Sequence, residues 1–206
     1  MDSDDELYPD DSILENIAKT LMDGFDIVSY SNIIKIFPNG QTVETMSKVK
    51  SMKDYILNYP LNYPGKPPYV VKKSLYLKAG GLNTDEKWGE AILFWRELFL
   101  LNPKYKMIDG IAYIYHLEGN DNVSKGCVSK DKRIDMVYNS IFNAYNRLFE
   151  KLDKNQKINW EIVLLGISLI RKKNIKFFVN RLLERNKLLC FKGFSYILCK
   201  RLKKYL

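Results

Sequence analysis

Residues 26–37 read Asp26-Ile27-Val28-Ser29-Tyr30-Ser31-Asn32-Ile33-Ile34-Lys35-Ile36-Phe37. The run is rich in β-branched and aromatic residues, which suit a pleated and partly buried surface, so it predicts one strand or two. Pro38-Asn39-Gly40 follows as a turn signal. Ahead of it, Ser12–Met22 places Ile13, Leu14, Ile17, Ala18 and Leu21 at i, i+3, i+4 spacing, the pattern of an amphipathic helix. Ser12 and Glu15 have capping-box spacing at its start, and Gly24 closes it.

Working outward, residues 41–68 are polar and then Pro-rich, which predicts a helix followed by an irregular loop. A short apolar stretch within residues 69–77 predicts a strand that ends ahead of Gly80-Gly81. Trp88–Leu101 predicts a helix stopped by Pro103, and residues 106–116 alternate as a strand. From residue 126 onward only helices are expected: 131–152, 160–173, and one or two basic helices over 176–206, with a break near Gly193. The fold class expected is α/β, a partial sheet followed by an α-helical C-terminal extension, with a boundary at residues 125 and 126.

Charge is unevenly placed. The chain carries a net +9, but Arg171–Leu206 holds twelve Lys or Arg against one acid, Glu184, which leaves the first 170 residues slightly negative. A basic tail with interleaved Phe177, Phe178, Leu182, Leu183, Phe191 and Phe194 suits the surface of an anionic membrane. Helices packed on the body would give the same composition. Nucleic acid is not the expected partner, because no RNA- or DNA-binding signature accompanies the charge.

Cys127, Cys190 and Cys199 are odd in number and lack metal-ligand spacing, so reduced thiols in the cytoplasm are expected. Residues 1–20 contain no apolar signal core. The longest apolar stretch, Trp160–Ile170, is about half the roughly 20 residues that span a bilayer.

Asp2-Ser3-Asp4-Asp5 is the first candidate for chemistry. Clustered carboxylates can hold Mg²⁺ or Mn²⁺, and such an ion can neutralise a diphosphate leaving group. A solvated acidic terminus that favours the positive end of the following helix is the plainer alternative. His116, the only histidine, is either a further ligand to such a metal or a strand-end residue bonded to solvent or backbone. Trp88 and Trp95 could floor a sugar site. Trp95 suits the core face of its helix, which leaves Trp88 as the better ligand candidate.

Three blocks together resemble family 2 glycosyltransferases. Asp2-Ser3-Asp4-Asp5-Glu6-Leu7-Tyr8-Pro9, followed by a helix and Asp26-Ile27-Val28, resembles the family's DXD region. Val71–Leu98, with Gly80-Gly81-Leu82-Asn83, Trp88-Gly89-Glu90 and Leu93-Phe94-Trp95, looks like its acceptor-side segment. Tyr113-Ile114-Tyr115-His116, with Asn120 and Asn122-Val123-Ser124, looks like its closing strand and loop.

The resemblance covers about residues 1–125. It implies the part of a GT-A catalytic domain that begins at the DXD motif, with the nucleotide-binding half expected to be missing. It also implies a divalent metal (Mn²⁺ or Mg²⁺), a nucleotide-diphospho-sugar donor, and a saccharide or lipid-linked acceptor in surface polysaccharide synthesis. In it, Asp2 and Asp4 bind the nucleotide sugar and Asp4 and Asp5 hold the metal, to which His116 is the candidate further ligand. Trp88 meets the acceptor. The family's general-base position falls on Ala91, which accepts no proton, so adjacent Glu90 is the stand-in base. The location implied is cytoplasmic, with the basic helices able to rest on the inner face of the plasma membrane. The alternative is a truncated, non-catalytic remnant that acts as a binding or membrane-surface partner.

Overall fold

A computed structural model describes residues 6–82, 90–116 and 130–185. In chain order the elements are β1 (Glu6–Leu7), α1 (Ser12–Met22), β2 (Ile27–Phe37), β3 (Gly40–Thr45), α2 (Met52–Asn58), β4 (Lys66–Val71), α3 (Lys73–Lys78), α4 (Glu90–Leu100), β5 (Tyr105–His116), α5 (Lys130–Leu148), a 3-10 turn (Phe149–Lys151), α6 (Lys154–Arg171) and α7 (Ile175–Arg185). The chain is mixed α/β, with a five-stranded mixed sheet and helices. The described residues fall into two compact units. One comprises residues 6–53, 63–81 and 98–116, and the other residues 54–62, 82, 90–97 and 130–185.

The first unit holds the sheet. β2 lies at its centre and pairs parallel with β5, while β1 pairs antiparallel with the far edge of β5. Along its other edge β2 pairs antiparallel with β4 through its first half and with β3 through its second half. The parallel register runs from Ile27 opposite Tyr105 to Ile36 opposite His116 and slips twice. Tyr30 faces Ile108 and Asn32 faces Ile111, so β5 carries an extra residue at Asp109-Gly110; a second extra residue follows before Ile114. Such bulges lift a side chain out of the ladder and re-aim it. At the first of them Gly110 takes φ +144°, and its N–H donates to Ser31 Oγ over 3.2 Å.

One face of the sheet is covered by α1. Ile13 and Ile17 pack with Val28, Tyr30 and Ala112 in a buried cluster, which Tyr8, Leu21, Val70 and Ile108 extend. The buried stripe of α1 is narrower than its periodicity predicts: Leu14 and Ala18 are exposed. Its start also differs from expectation. The N-cap is Asp11 without a side-chain bond, and Ser12 is already helical. Asp10 Oδ1 accepts the Ser12 N–H over 2.9 Å, so a carboxylate two residues upstream does what the Ser12–Glu15 pair was expected to do. Gly24 ends the helix as predicted, at φ +93°.

Two segments expected otherwise are strands. Residues 40–45 form β3, the second arm of a hairpin that turns through Pro38-Asn39. The arm is almost wholly exposed and too polar to signal a strand, but a two-residue turn places it directly beside β2. The strand expected over 69–77 begins earlier, at Lys66, and stops at Val71, where α3 takes over. Among the described residues β4 pairs only with β2, so Pro67 and Pro68 can occupy it although neither has an N–H to donate. Ser74-Leu75-Tyr76-Leu77 fits either period, and left-handed Gly80 and Gly81 terminate it as a helix.

Close packing secures the start of this strand set. Tyr105 donates to the Pro64 carbonyl over 2.5 Å, and Ser29 Oγ lies 2.7 Å from the Tyr105 hydroxyl. Burial pushes the Tyr105 phenol up to about 12. Gly65, at φ +152°, abuts this pair so closely that a Cβ would lie 2.4 Å from Ser29 Oγ.

The second unit is helical. α6 starts six residues earlier than its apolar run suggests, because Asp153 and Gln156 form a full capping box ahead of it. Trp160 is fully buried and donates Nε1–H to the Leu57 carbonyl over 2.8 Å. Arg96, also fully buried, donates to the carbonyls of Ile92, Tyr59 and Asn62. Phe178 and Leu182 put one face of α7 into this core. Among the described residues no helix is long and apolar enough to cross a membrane.

Candidate functional site

Ligands of open α/β sheets gather at the carboxyl ends of parallel strands. Here that end belongs to β2 and β5, where Ile36 stands opposite His116. β1 runs antiparallel to β5, so its first residue, Glu6, sits at the same end, paired with Ile114 and diagonal to His116. Their side chains meet: His116 Nε2 is 3.2 Å from Glu6 Oε1. The imidazole is mostly covered, at 23% exposure, while the carboxylate is 64% exposed. The contact becomes an ion pair when the ring is protonated.

Sequence reasoning singled out His116 but missed Glu6 as its partner. The signal was present, because Glu6 directly continues the acidic run Asp2–Asp5. Asp2, Asp4, Asp5 and Trp88 lie outside the described residues. Glu90 is the first residue of α4, and its side chain lies outside them too. Trp95 is a core residue as expected, 4% exposed and tilted against Phe94 with ring centroids 5.1 Å apart.

Among the described residues, no three His, Cys, Asp or Glu side chains come together as a metal site. His116 and Glu6 supply one imidazole nitrogen and one carboxylate oxygen, both donors that Mn²⁺ accepts. Two donors do not make a site. They fit a metal only as part of a set completed by further carboxylates.

The strand beginning at Ile27 is positioned by Asp26. Its Oδ2 accepts the Lys104 N–H over 2.9 Å, and its Oδ1 lies 3.3 Å from Lys72 Nζ. The Asp26 carbonyl also accepts the Lys72 N–H over 3.0 Å. One aspartate thus ties together the start of β2, the approach to β5 and the end of β4, which fixes the register where Ile27 stands opposite Tyr105; the two extra residues of β5 then bring His116 level with Ile36.

The basic segment is described as far as Arg185. There Arg181 and Arg185 turn inward onto Glu161, which has no exposed surface. Residues 186–206 lie outside the described part. Searches of protein-family models, curated proteins and solved structures find no match to this chain.

Proposed function

We propose that this chain is a glycosyltransferase-like protein built on part of a GT-A sheet. It handles a nucleotide-diphospho-sugar with a divalent metal at the carboxyl end of β2 and β5, and it transfers the sugar to a saccharide or lipid-linked acceptor. What supports this is the meeting of Glu6 and His116 at that end. In sequence Glu6 is preceded by Asp2-Ser3-Asp4-Asp5, so the residues that carry the resemblance to the DXD region are chain neighbours of the acid that meets the strand-end histidine.

In this scheme Mn²⁺ or Mg²⁺ would be held by Asp4 and Asp5 with His116, and it would offset charge on the departing diphosphate. Asp2 and Asp4 would bind the nucleotide sugar, and Trp88 would meet the acceptor. Glu90, at the start of α4, would take the proton from the acceptor hydroxyl. Glu6, which contacts His116 Nε2, would help to hold the ring at this edge of the sheet. The site would work in the cytoplasm, with the basic C-terminal residues at the inner face of the plasma membrane.

The test is thermal unfolding with 5 mM Mn²⁺ and UDP or GDP. A ligand that binds only the folded chain raises its melting temperature. A rise with metal and nucleotide together, lost in Asp4→Ala/Asp5→Ala and reduced in His116→Ala, is the expected result. A melting temperature unmoved by either nucleotide would remove the transferase proposal.

A further inference from the structure

A cleft of about 380 Å³ opens beside the first bulge of β5, where the start of α1 faces β2 and β5. Small-molecule sites span about 300–1,000 Å³, so it is large enough for a small ring. Its polar lining comes from Tyr8, Asp10, Ser12, Asn16, Tyr30, Asn32 and Asp109, and among the described residues no Lys, Arg or His lines it. Asp109 stands at the bulge, and Lys48 holds one of its oxygens from outside over 3.0 Å. His116 is five residues beyond Ile111, about 15 Å along the strand, so the cleft is not the carboxyl edge.

The hydrogen-bonding balance of the lining is one-sided. Ser12 directs its N–H and its hydroxyl to Asp10, which holds that carboxyl below the usual carboxylate range and therefore ionised. Asn16 Nδ2 donates to Ser12 Oγ over 3.2 Å, and the same amide bonds the Tyr30 hydroxyl. The Tyr30 hydroxyl donates to the Ile13 carbonyl, and the Gly110 N–H donates to Ser31. These donors are engaged within the protein, and the Tyr8 hydroxyl, which also lines the cleft, can both donate and accept. Acceptor capacity remains on the carboxylates of Asp10 and Asp109 and on the side-chain carbonyl of Asn16. The side-chain carbonyl of Asn32 is buried with no partner among the described residues. A lining with surplus acceptors and no cation repels phosphates and carboxylates and requires a ligand that brings hydrogen donors. Tyr8 and Ile108 add half-buried apolar surface.

We infer that this cleft binds a neutral, hydroxyl-rich ring, a sugar residue at the end of a saccharide, whose hydroxyls donate to Asp10, Asn16 and Asp109 while its C–H face rests on Tyr8 and Ile108. The site needs neither metal nor nucleotide, so it goes beyond the proposed transfer reaction and stands or falls apart from it.

Saturation-transfer NMR on the full chain tests it, with D-glucose, N-acetyl-D-glucosamine and maltose as probes and inorganic phosphate and putrescine as controls. At least one neutral sugar should receive saturation. Asp10→Ala/Asp109→Ala should weaken that sugar about tenfold or more, the loss of two hydrogen bonds to charged groups. Both positions are exposed, and circular dichroism should match the parent. Lys48→Ala, which releases Asp109, should not weaken binding. His116→Ala should leave it unchanged, whereas that variant reduces the metal–nucleotide response if the transferase proposal holds. Silence from all three sugars, undiminished binding in the folded double variant, or stronger binding of putrescine or phosphate than of any sugar would overturn the inference.

Discussion

Arg181 donates its Nε–H to Glu161 over 2.8 Å, and the glutamate that receives it has no exposed surface at all. Arg185 approaches the same carboxylate at 3.3 Å, and the Tyr145 hydroxyl donates to it over 2.5 Å. Burial, and then the adjacent carboxylate, pushes the Tyr145 phenol upward, so it stays a donor at any ordinary pH. The Arg181 guanidinium also lies over the Phe149 ring at 4.7 Å and the Phe177 ring at 5.4 Å. Through this one acid, α7 is held to α5 and α6.

Removing Glu161 leaves two partly covered arginines, 27% and 21% exposed, and the buried Tyr145 hydroxyl without their shared acceptor. Glu161→Ala should therefore cost about 3–5 kcal/mol, read as a lower urea midpoint. Glu161→Gln, which keeps the shape and one acceptor, should cost clearly less. Replacing Glu161, Arg181, Arg185 and Tyr145 together by Leu, Met, Met and Phe should recover most of the loss, since apolar packing can substitute for a buried ionic set. A loss under about 1 kcal/mol for Glu161→Ala would mean that the cluster does not fasten α7.

Glu44, on the exposed hairpin arm β3, gives a pH signature. Burial alone would raise its pKa, but the ammonium groups of Lys35 and Lys66 outweigh this and bring it from 4.5 to about 2. Lys66 Nζ is 2.7 Å from Oε1, and Lys35 contacts Oε2. The folded pKa lies below the unfolded one, so the contribution is fully present above about pH 4.5 and disappears as pH falls through 2. Glu44→Gln should flatten the fall in melting temperature between pH 5 and pH 2. A variant with the parent's full acid dependence would place that dependence elsewhere.

Ala91, the second residue of α4, tests the proposed transfer chemistry. The chain would be joined behind the nucleotide-binding half of a complete family 2 enzyme, so that every variant holds the donor equally. Ala91→Asp should then raise sugar transfer, and a restored base is worth about 10²–10⁴-fold. Glu90→Gln should remove the residual activity of the Ala91 parent. If the Ala91→Asp change gives no gain, residues 90 and 91 are not the base-bearing pair.

Local periodicity was enough for several elements. α1 has the predicted bounds Ser12–Met22, and β2 and β5 agree with their β-branched alternation to within a residue. Trp95 lies in the core, as its helix spacing required. These features depend on near neighbours in sequence, and a run of residues carries that information within itself.

What depended on distant partners was decided by tertiary structure. β3 exists because the hairpin brings a polar arm against β2, and β4 ends where it leaves that strand's first half. Glu6 meets His116 because β1 runs antiparallel onto an edge whose own register Asp26 helps to set. Two extra residues in β5 are invisible in its composition and appear only as slips against β2, yet the first of them carries Asp109 and Gly110 to the cleft. From sequence the cations of α7 suited either a membrane surface or a packed helix, and only the fold shows that Arg181 and Arg185 answer a buried glutamate on another helix. Charge and period are properties of a segment; the neighbour that satisfies a carboxylate is supplied by the fold, because desolvation and pairing act between groups far apart along the chain.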